Sequence, residues 1–278
     1  MSAGVLYIVA TPIGNMEDIT LRALRVLKEA DFIAAEDTRV SMKLLSRHGI
    51  STPLLSYREH NSAHMGDIII SRLLAGETCA LISDAGTPII SDPGAGLTRL
   101  CLKSGIQVVP VPGACAAVTA LSASAIPAGR FTFEGFLSVK SRVRREHLAE
   151  IKNEKRTMVF YEAPHKLVTT LSDMREALGD REIVIARELT KLHEEIIHTT
   201  LSEALALYAE NKPRGEFVLL VAGAGEIEDD FSAANEAIDE NISGGATVKE
   251  SVRDAKTLGM SRNEAYRLAL EKKKRLEK

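Results

Sequence analysis

The sequence predicts an α/β protein of two α/β regions followed by a small helical appendage. Short β-branched runs alternate with amphipathic stretches from residue 4 onward, the pattern of stacked βα units rather than of a sandwich or bundle. At 278 residues and 45% hydrophobic, the chain is long enough for two ordinary domains. After Gly225 the texture changes to the acidic run Glu226-Ile227-Glu228-Asp229-Asp230 and then to a helical tail. The expected organisation is therefore an N-terminal α/β domain over 1–113, a second α/β domain over 114–225, and a linker with a helical tail over 226–278.

Residues 4–10 read as a first strand, and 18–30 as a helix with Ile19, Leu21, Leu24 and Leu27 toward one side. Strands follow at 31–37, 78–84 and 107–111, and helices at 38–48, 60–74 and 93–104. A helix over 114–124 leads to the second region, where 131–137, 157–161, 182–187, 194–200 and 216–222 read as strands and 166–178 as a helix. Several of these later strands suit antiparallel pairing. The sequence has no internal repeat of fixed period and no low-complexity segment.

A net charge of −3 argues against a protein that coats nucleic acid over its whole surface, so any nucleic-acid contact must be local. No apolar stretch approaches the roughly 18 residues of a spanning helix, so no membrane partner is expected. The first apolar run lacks a basic segment before it and ends in a Pro-Gly turn, which reads as a strand and not a signal peptide; a cytoplasmic location is expected. Cys79, Cys101 and Cys115 lack CxxC spacing and read as reduced core thiols. His60 and His64 lack a third ligand nearby, so no metal site is expected.

Three loops each follow an apolar strand directly, where open α/β sheets place their ligands. The first is Thr11-Pro12-Ile13-Gly14-Asn15, which taken alone is also an ordinary strand-to-helix turn. The second, SDAGTPIISDPG at 83–94, compresses small residues, two prolines and two aspartates into one loop, which lets bare backbone approach a ligand. The third, VPGACAA at 111–117, opens a helix with tiny residues, suiting a bound group or close helix–sheet packing equally. Together they describe one cleft better than three unrelated turns. Gly223-Ala224-Gly225 begins like a dinucleotide fingerprint but lacks the third glycine, and no GxxxxGK[ST] loop is present.

The strings LYIVATPIGNMEDITLRALRVL, AEDTR (35–39), SDAGTPIISDPG, VPGACAAVTALSAS (111–124), FEGFL (133–137), FYEAPHK (160–166) and ARELTK (186–191) resemble the ribosomal RNA small-subunit methyltransferase I family of the tetrapyrrole methylase superfamily. The likeness runs in order along nearly the whole chain. It implies a tetrapyrrole-methylase-like fold with S-adenosylmethionine in a cleft between two domains, usually within a homodimer. It also implies methylation of a cytidine ribose 2′-oxygen in 16S rRNA of the 30S subunit, near the decoding centre. Carried over by position, the cofactor would touch Pro12, Asp84, Ala85, Gly86, Thr87, Cys115, Ala116, Tyr161, Leu189, Gly215 and Glu216, with Gly14 in the same first loop. Porphyrin-modifying members carry a glycine-rich first loop where this chain has TPIGN, which favours RNA. Lys166 stands where related chains often have arginine, which puts a bidentate phosphate contact there in doubt. The tail over 242–270 resembles the family's helix-turn-helix appendage, with 249–258 and 262–270 as helices about a Gly259 turn; by itself it also reads as a hairpin packing on the body or a partner.

Transfer of a methyl group to a ribose hydroxyl requires alignment and the removal of one proton. Candidate bases near strand ends are Glu36, Asp37 and Glu188, with Arg39, Arg187 and Lys191 as charge partners; a helix cap with a surface ion pair is the competing reading of 36–39. Lys140, Arg142, Arg144 and Arg145 form a basic cluster suited to RNA phosphates, or else a solvated helix face. The run Lys272-Lys273-Lys274-Arg275 reads as a frayed, solvated end, with contact to RNA as the competing reading. A small-molecule methyltransferase and a non-catalytic RNA-binding assembly factor remain as alternatives.

Overall fold

The computed structural model describes residues 3–225, 232–258 and 260–276. The first sheet is built from β1 (Val5–Val9), β2 (Phe32–Ala35), β3 (Leu54–Ser56), β4 (Cys79–Ile82) and β5 (Gln107–Val111). Its order is β3-β2-β4-β1-β5 and every pairing is parallel, so all its strands end on one side. The helices α1 (Leu21–Glu29), α2 (Thr38–Arg47), α3 (Ser62–Leu74) and α4 (Ala95–Lys103) connect its strands. Because side chains alternate along a strand, Leu6, Phe32, Ala34 and Leu81 feed one core with Ile69 and Leu97, while Val9, Ile33, Ala35 and Ile82 feed another with Val26 and Leu27. A sheet covered on both faces explains why β2 and β4 are apolar throughout.

After α5 (Ala116–Ala123), the second sheet comprises β6 (Phe131–Phe136), β7 (Thr157–Glu162), β8 (Glu182–Arg187), β9 (Glu195–Thr200) and β10 (Phe217–Val221). Its order is β6-β7-β10-β8-β9, parallel only between β6 and β7 and antiparallel elsewhere. The helices α6 (Ser141–Glu150), α7 (Leu167–Leu178) and α8 (Leu201–Glu210) lie between its strands. One face packs on Leu148, Leu171, Met174 and Leu201. The other packs on Ala117, Ala120 and Leu121 of α5, and Ile13 from the first loop joins that core. A side chain that follows a strand of one sheet is thus buried against the other.

Both sheets lie in one compact unit, Met1–Gly223; a second unit, Ala224–Lys278, holds α9 (Ser232–Ser243), α10 (Val248–Thr257) and α11 (Arg262–Leu276). Ala234, Ile238 and Ile242 recur at i, i+4 and i+8 on α9 and bury with Val252, Ala255, Ala265 and Ala269. The acidic run at 226–230 and the Gly259 turn lie outside the described residues. Among the described residues no helix is long and apolar enough to cross a membrane, and no cluster of three metal-ligating side chains occurs. All three cysteines are free thiols; burial pushes Cys79 up to about 12 and Cys101 up to about 11. The Gly223 of the false dinucleotide motif has a packing role, since a Cβ there would overlap the Lys155 carbonyl.

Candidate active site

The three loops after β1, β4 and β5 meet at the carboxyl edge of the first sheet. Thr11 and Gly86 exchange backbone hydrogen bonds at 2.9 and 3.0 Å, which zips the first loop to the second. Gly86 has φ +78°, a backbone conformation that L side chains rarely adopt. Thr87 Oγ1 donates to the Ala114 carbonyl at 3.0 Å, joining the second loop to the third. The Asp37 N–H donates to Asp84 Oδ1 at 2.9 Å, which ties in the end of β2.

The opposite wall comes from the second sheet. Gly14 sits where a Cβ would lie 2.5 Å from Lys191 Cγ and 2.7 Å from Thr190 Oγ1, so the bare backbone permits the approach of the two loops. The Asn15 N–H then donates to Thr190 Oγ1 at 3.0 Å. Glu188 is fixed by Lys191 Nζ at 2.8 Å and the Glu216 N–H at 2.9 Å, while Lys191 also reaches Glu216 Oε2 at 2.9 Å. A Cβ on Gly215 would fall within 2.4 Å of the Glu188 side chain, which explains glycine there. Among the described residues, four non-glycine positions with positive φ, Ile89, Ser91, Glu188 and Thr190, lie on these facing loops, and only Ala125 lies elsewhere. Backbone strain gathers at ligand sites in this way.

The walls enclose a cleft of about 480 Å³, within the size range of small-molecule sites. Ile13, Ala116, Leu189 and Val218 make it apolar, and Glu36, Asp84 and Asp92 give it negative charge. A side chamber of about 240 Å³ is lined by Pro12, Gly14 and Lys191 and shares Asp84, Ala85 and Glu216 with the main cleft. Tyr161 lines the cleft, its hydroxyl accepts the Ala117 N–H at 3.1 Å, and burial raises its phenol well above the usual range. Phe133 and Phe136 pack edge-on against its ring. Of the positions expected to touch a cofactor, Pro12, Gly14, Asp84, Ala85, Ala116, Tyr161, Leu189 and Glu216 line these chambers. Gly86, Thr87 and Gly215 hold the walls from behind through the bonds and close approaches just described, and Cys115 stands at the N-cap position of α5, where its carbonyl accepts the Thr119 N–H.

The candidate bases separate by environment. Asp37 caps α2 through the Arg39 N–H and pairs with the Arg39 and Arg58 side chains, which hold its carboxyl far below the usual range. Glu188 is lowered by its bond to Lys191. Both are poor proton acceptors, and exposed Arg39 serves Asp37. Arg187 pairs with Glu195 and donates to the Arg214 carbonyl. Glu36 differs, because burial, and then Asp84 and Asp92, raise its carboxyl. Asp92, missed as a candidate, is raised by burial and then by Asp84, although Ser83 opposes this. The doubled aspartate of SDAGTPIISDPG was the available signal. Glu162, also missed, lines the cleft as a buried carboxylate paired with Lys166 Nζ at 2.8 Å, so Lys166 serves Glu162 rather than a phosphate.

The basic cluster on α6 requires a correction. Arg144 is buried, bonds Asp173 at 2.6 Å and donates to the Ser138 and Val139 carbonyls, so its guanidinium has no free face for a phosphate. Arg145 shares Asp173 at 3.0 Å, Arg142 pairs with Glu146, and Lys140 is exposed at the start of the helix.

With this geometry in hand, the likeness to known proteins is specific. The tetrapyrrole (corrin/porphyrin) methylases match residues 5–205. Ribosomal RNA small subunit methyltransferase I of Pseudomonas aeruginosa is 48% identical over 278 residues, covering 98% of this chain and 99% of that one. The chain belongs to this family. The methyltransferase I protein of Halalkalibacterium halodurans is 54% identical over 223 residues, 80% of this chain and 77% of that one. The fold of the methylase family is visible in the solved uroporphyrin-III C-methyltransferase of Thermus thermophilus complexed with S-adenyl homocysteine: TM-score 0.56, 20% identity, 79% of this chain and 97% of that one. Methyltransferase I relatives thus match this chain through its tail as well as through its two sheets.

Proposed function

We propose that the chain is an S-adenosylmethionine-dependent methyltransferase that modifies a cytidine ribose 2′-oxygen in 16S rRNA of the 30S subunit, near the decoding centre. The observation that carries the reading is the cleft itself: apolar walls lined with the carboxylates of Glu36, Asp84 and Asp92, in a chain of the methyltransferase I family. That donor set fits a sulfonium, whose positive charge is favoured beside carboxylates in a water-poor site. Pro12, Gly14, Asp84, Ala85, Ala116, Tyr161, Leu189 and Glu216 would hold the cofactor, which would supply an electrophilic methyl group there.

The chain's own part is alignment, exclusion of water and proton removal. The zipped Thr11–Gly86 loops and the Gly14 approach hold the two walls in place, which is how positioning supplies rate. Glu36 takes the ribose proton, with Asp92 as its neighbour, because a raised carboxyl is the better base near neutral pH. Negative charge in the cleft repels phosphates, so the RNA backbone runs outside it, where Lys140, Arg142 and Arg145 remain available.

A homodimer in the cytoplasm completes the reading. Phe131, Phe133 and Phe136 are exposed on the edge strand β6, an apolar surface that a second copy would cover. Light scattering should return twice the chain mass, and a monomer would discard the pairing. The function is tested by labelled methyl transfer to small subunits lacking modifications, with the RNA digested to nucleosides. Labelled 2′-O-methylcytidine is expected. Cofactor binding without label in RNA would overturn the substrate and favour a small acceptor.

A further inference from the structure

The helical unit carries a second charged surface that the cleft does not use. Lys249, Arg253 and Lys256 on α10 recur at i, i+4 and i+7, and Arg262, Tyr266 and Lys273 on α11 at i, i+4 and i+11, so each set shares one helix face. The two faces line one open groove together with Thr247 and Thr257. Tyr266 is 53% exposed within it, although an aromatic side chain of this unit could have joined the core.

The charges on these helices are sorted by face. Lys272 turns toward α9, pairing with Asp239 at 2.5 Å and donating to the Asn235 carbonyl, and Asp254 accepts from Asn241 on the same side. Its neighbour Lys273 lines the groove instead, so the KKKR run is part of a helix and is divided between two tasks. Among the described residues, none of Lys249, Arg253, Lys256, Arg262 and Lys273 makes an ion pair, and Glu250, whose carboxyl feels Arg253, is occupied by the capping box at Thr247. Unpaired cations on one face of an otherwise acidic chain repel each other, and a polyanion relieves that repulsion.

We infer that this groove binds the phosphate backbone of single-stranded RNA, with a base stacked on Tyr266. Spaced cations beside an exposed ring are the chemistry of single-strand recognition, where phosphates set affinity and stacking tolerates any base. The groove would therefore hold an RNA segment other than the nucleotide in the cleft. This rests on the RNA-substrate reading above.

The test uses the full chain and deproteinised small-subunit RNA, with affinity measured across salt concentrations. Replacing Arg253, Lys256 and Arg262 together by alanine should lower the slope of log affinity against log salt by about 2, with affinity at 0.15 M salt falling about tenfold. Tyr266→Ala should weaken binding about fivefold or more with the slope unchanged. Cofactor affinity by calorimetry should stay at the parent value in both, which shows that the two-sheet unit is folded, and helix content by circular dichroism should also stay at the parent value, which shows the same for the tail. Parent-like slope and affinity in the triple variant, while the parent chain binds RNA, overturn the groove and leave the substrate reading standing. Failure of the parent to bind RNA overturns both. Loss of binding to assembled subunits with naked RNA unaffected overturns the RNA partner in favour of an acidic protein surface.

Discussion

Replacing Arg144 by alanine is expected to destabilise the chain by about 3 kcal/mol, the scale for removing one partner of a buried ion pair. Both side chains of the pair are nearly inaccessible, at 7% for Arg144 and 4% for Asp173. The loss leaves Asp173 with Arg145 alone and strips the Ser138 and Val139 carbonyls of their donor. Lysine should not rescue it, because a single ammonium cannot reproduce a fork that serves a carboxylate and two carbonyls at once. For a unit of this size the Tm should fall by roughly 6–12 °C. By contrast, Arg142 is 89% exposed in an i, i+4 pair with Glu146, and its alanine variant should stay within about 0.5 kcal/mol of the parent. Thermal unfolding of the two variants decides the matter. An Arg144→Ala chain melting within about 2 °C of the parent, with weaker RNA binding, would return Arg144 to the phosphate contacts.

That contrast shows where sequence reasoning reached its limit. In SRVRREHLAE all three arginines look alike, and what distinguishes Arg144 is its burial, at 7% exposure, between Asp173, 29 residues away on another helix, and the Ser138 and Val139 carbonyls, whereas Arg145 reaches the same carboxylate from a 57% exposed position. Repeated local patterns were legible: apolar runs gave most strands to within a residue or two, and several later strands were expected to pair antiparallel, as β7 with β10, β10 with β8 and β8 with β9 do. β3 was missed because Leu54–Ser56 is a three-residue edge strand behind Pro53, too short for any periodicity. The α8 helix was missed although its signal was present, since Thr200 and Glu203 form a capping box ahead of an apolar stripe. At the cleft, glycines and prolines marked the loops, but the sorting of the carboxylates was not visible. Glu36 and Asp37 are adjacent in sequence and opposite in chemistry, because Asp37 faces Arg39 and Arg58 while Glu36 faces Asp84 and Asp92.

The Glu36→Gln chain should lose methyl transfer by about a hundredfold to a thousandfold, the range for removing a general base, while keeping its cofactor affinity within a few fold. The parent rate should rise with pH through a value above the ordinary 4.5 of a glutamate, since the ionised form does the work and burial beside two aspartates raises its carboxyl. That limb should vanish in the variant, and Asp92→Asn should shift it downward, because the charge of Asp92 helps to raise the Glu36 carboxyl. Stability should move in the opposite direction to activity. A carboxyl raised in the folded state holds its proton more tightly there than in the unfolded chain, so its contribution worsens as pH climbs from the unfolded value through the folded one. At neutral pH glutamine removes that strain, and Tm should rise. A variant that is slower and more stable identifies Glu36 as a charge held in the cleft for the reaction. If the rate stays within about threefold of the parent, proton removal passes to Asp92, and if the variant is less stable, Glu36 is a structural acceptor for its own loop.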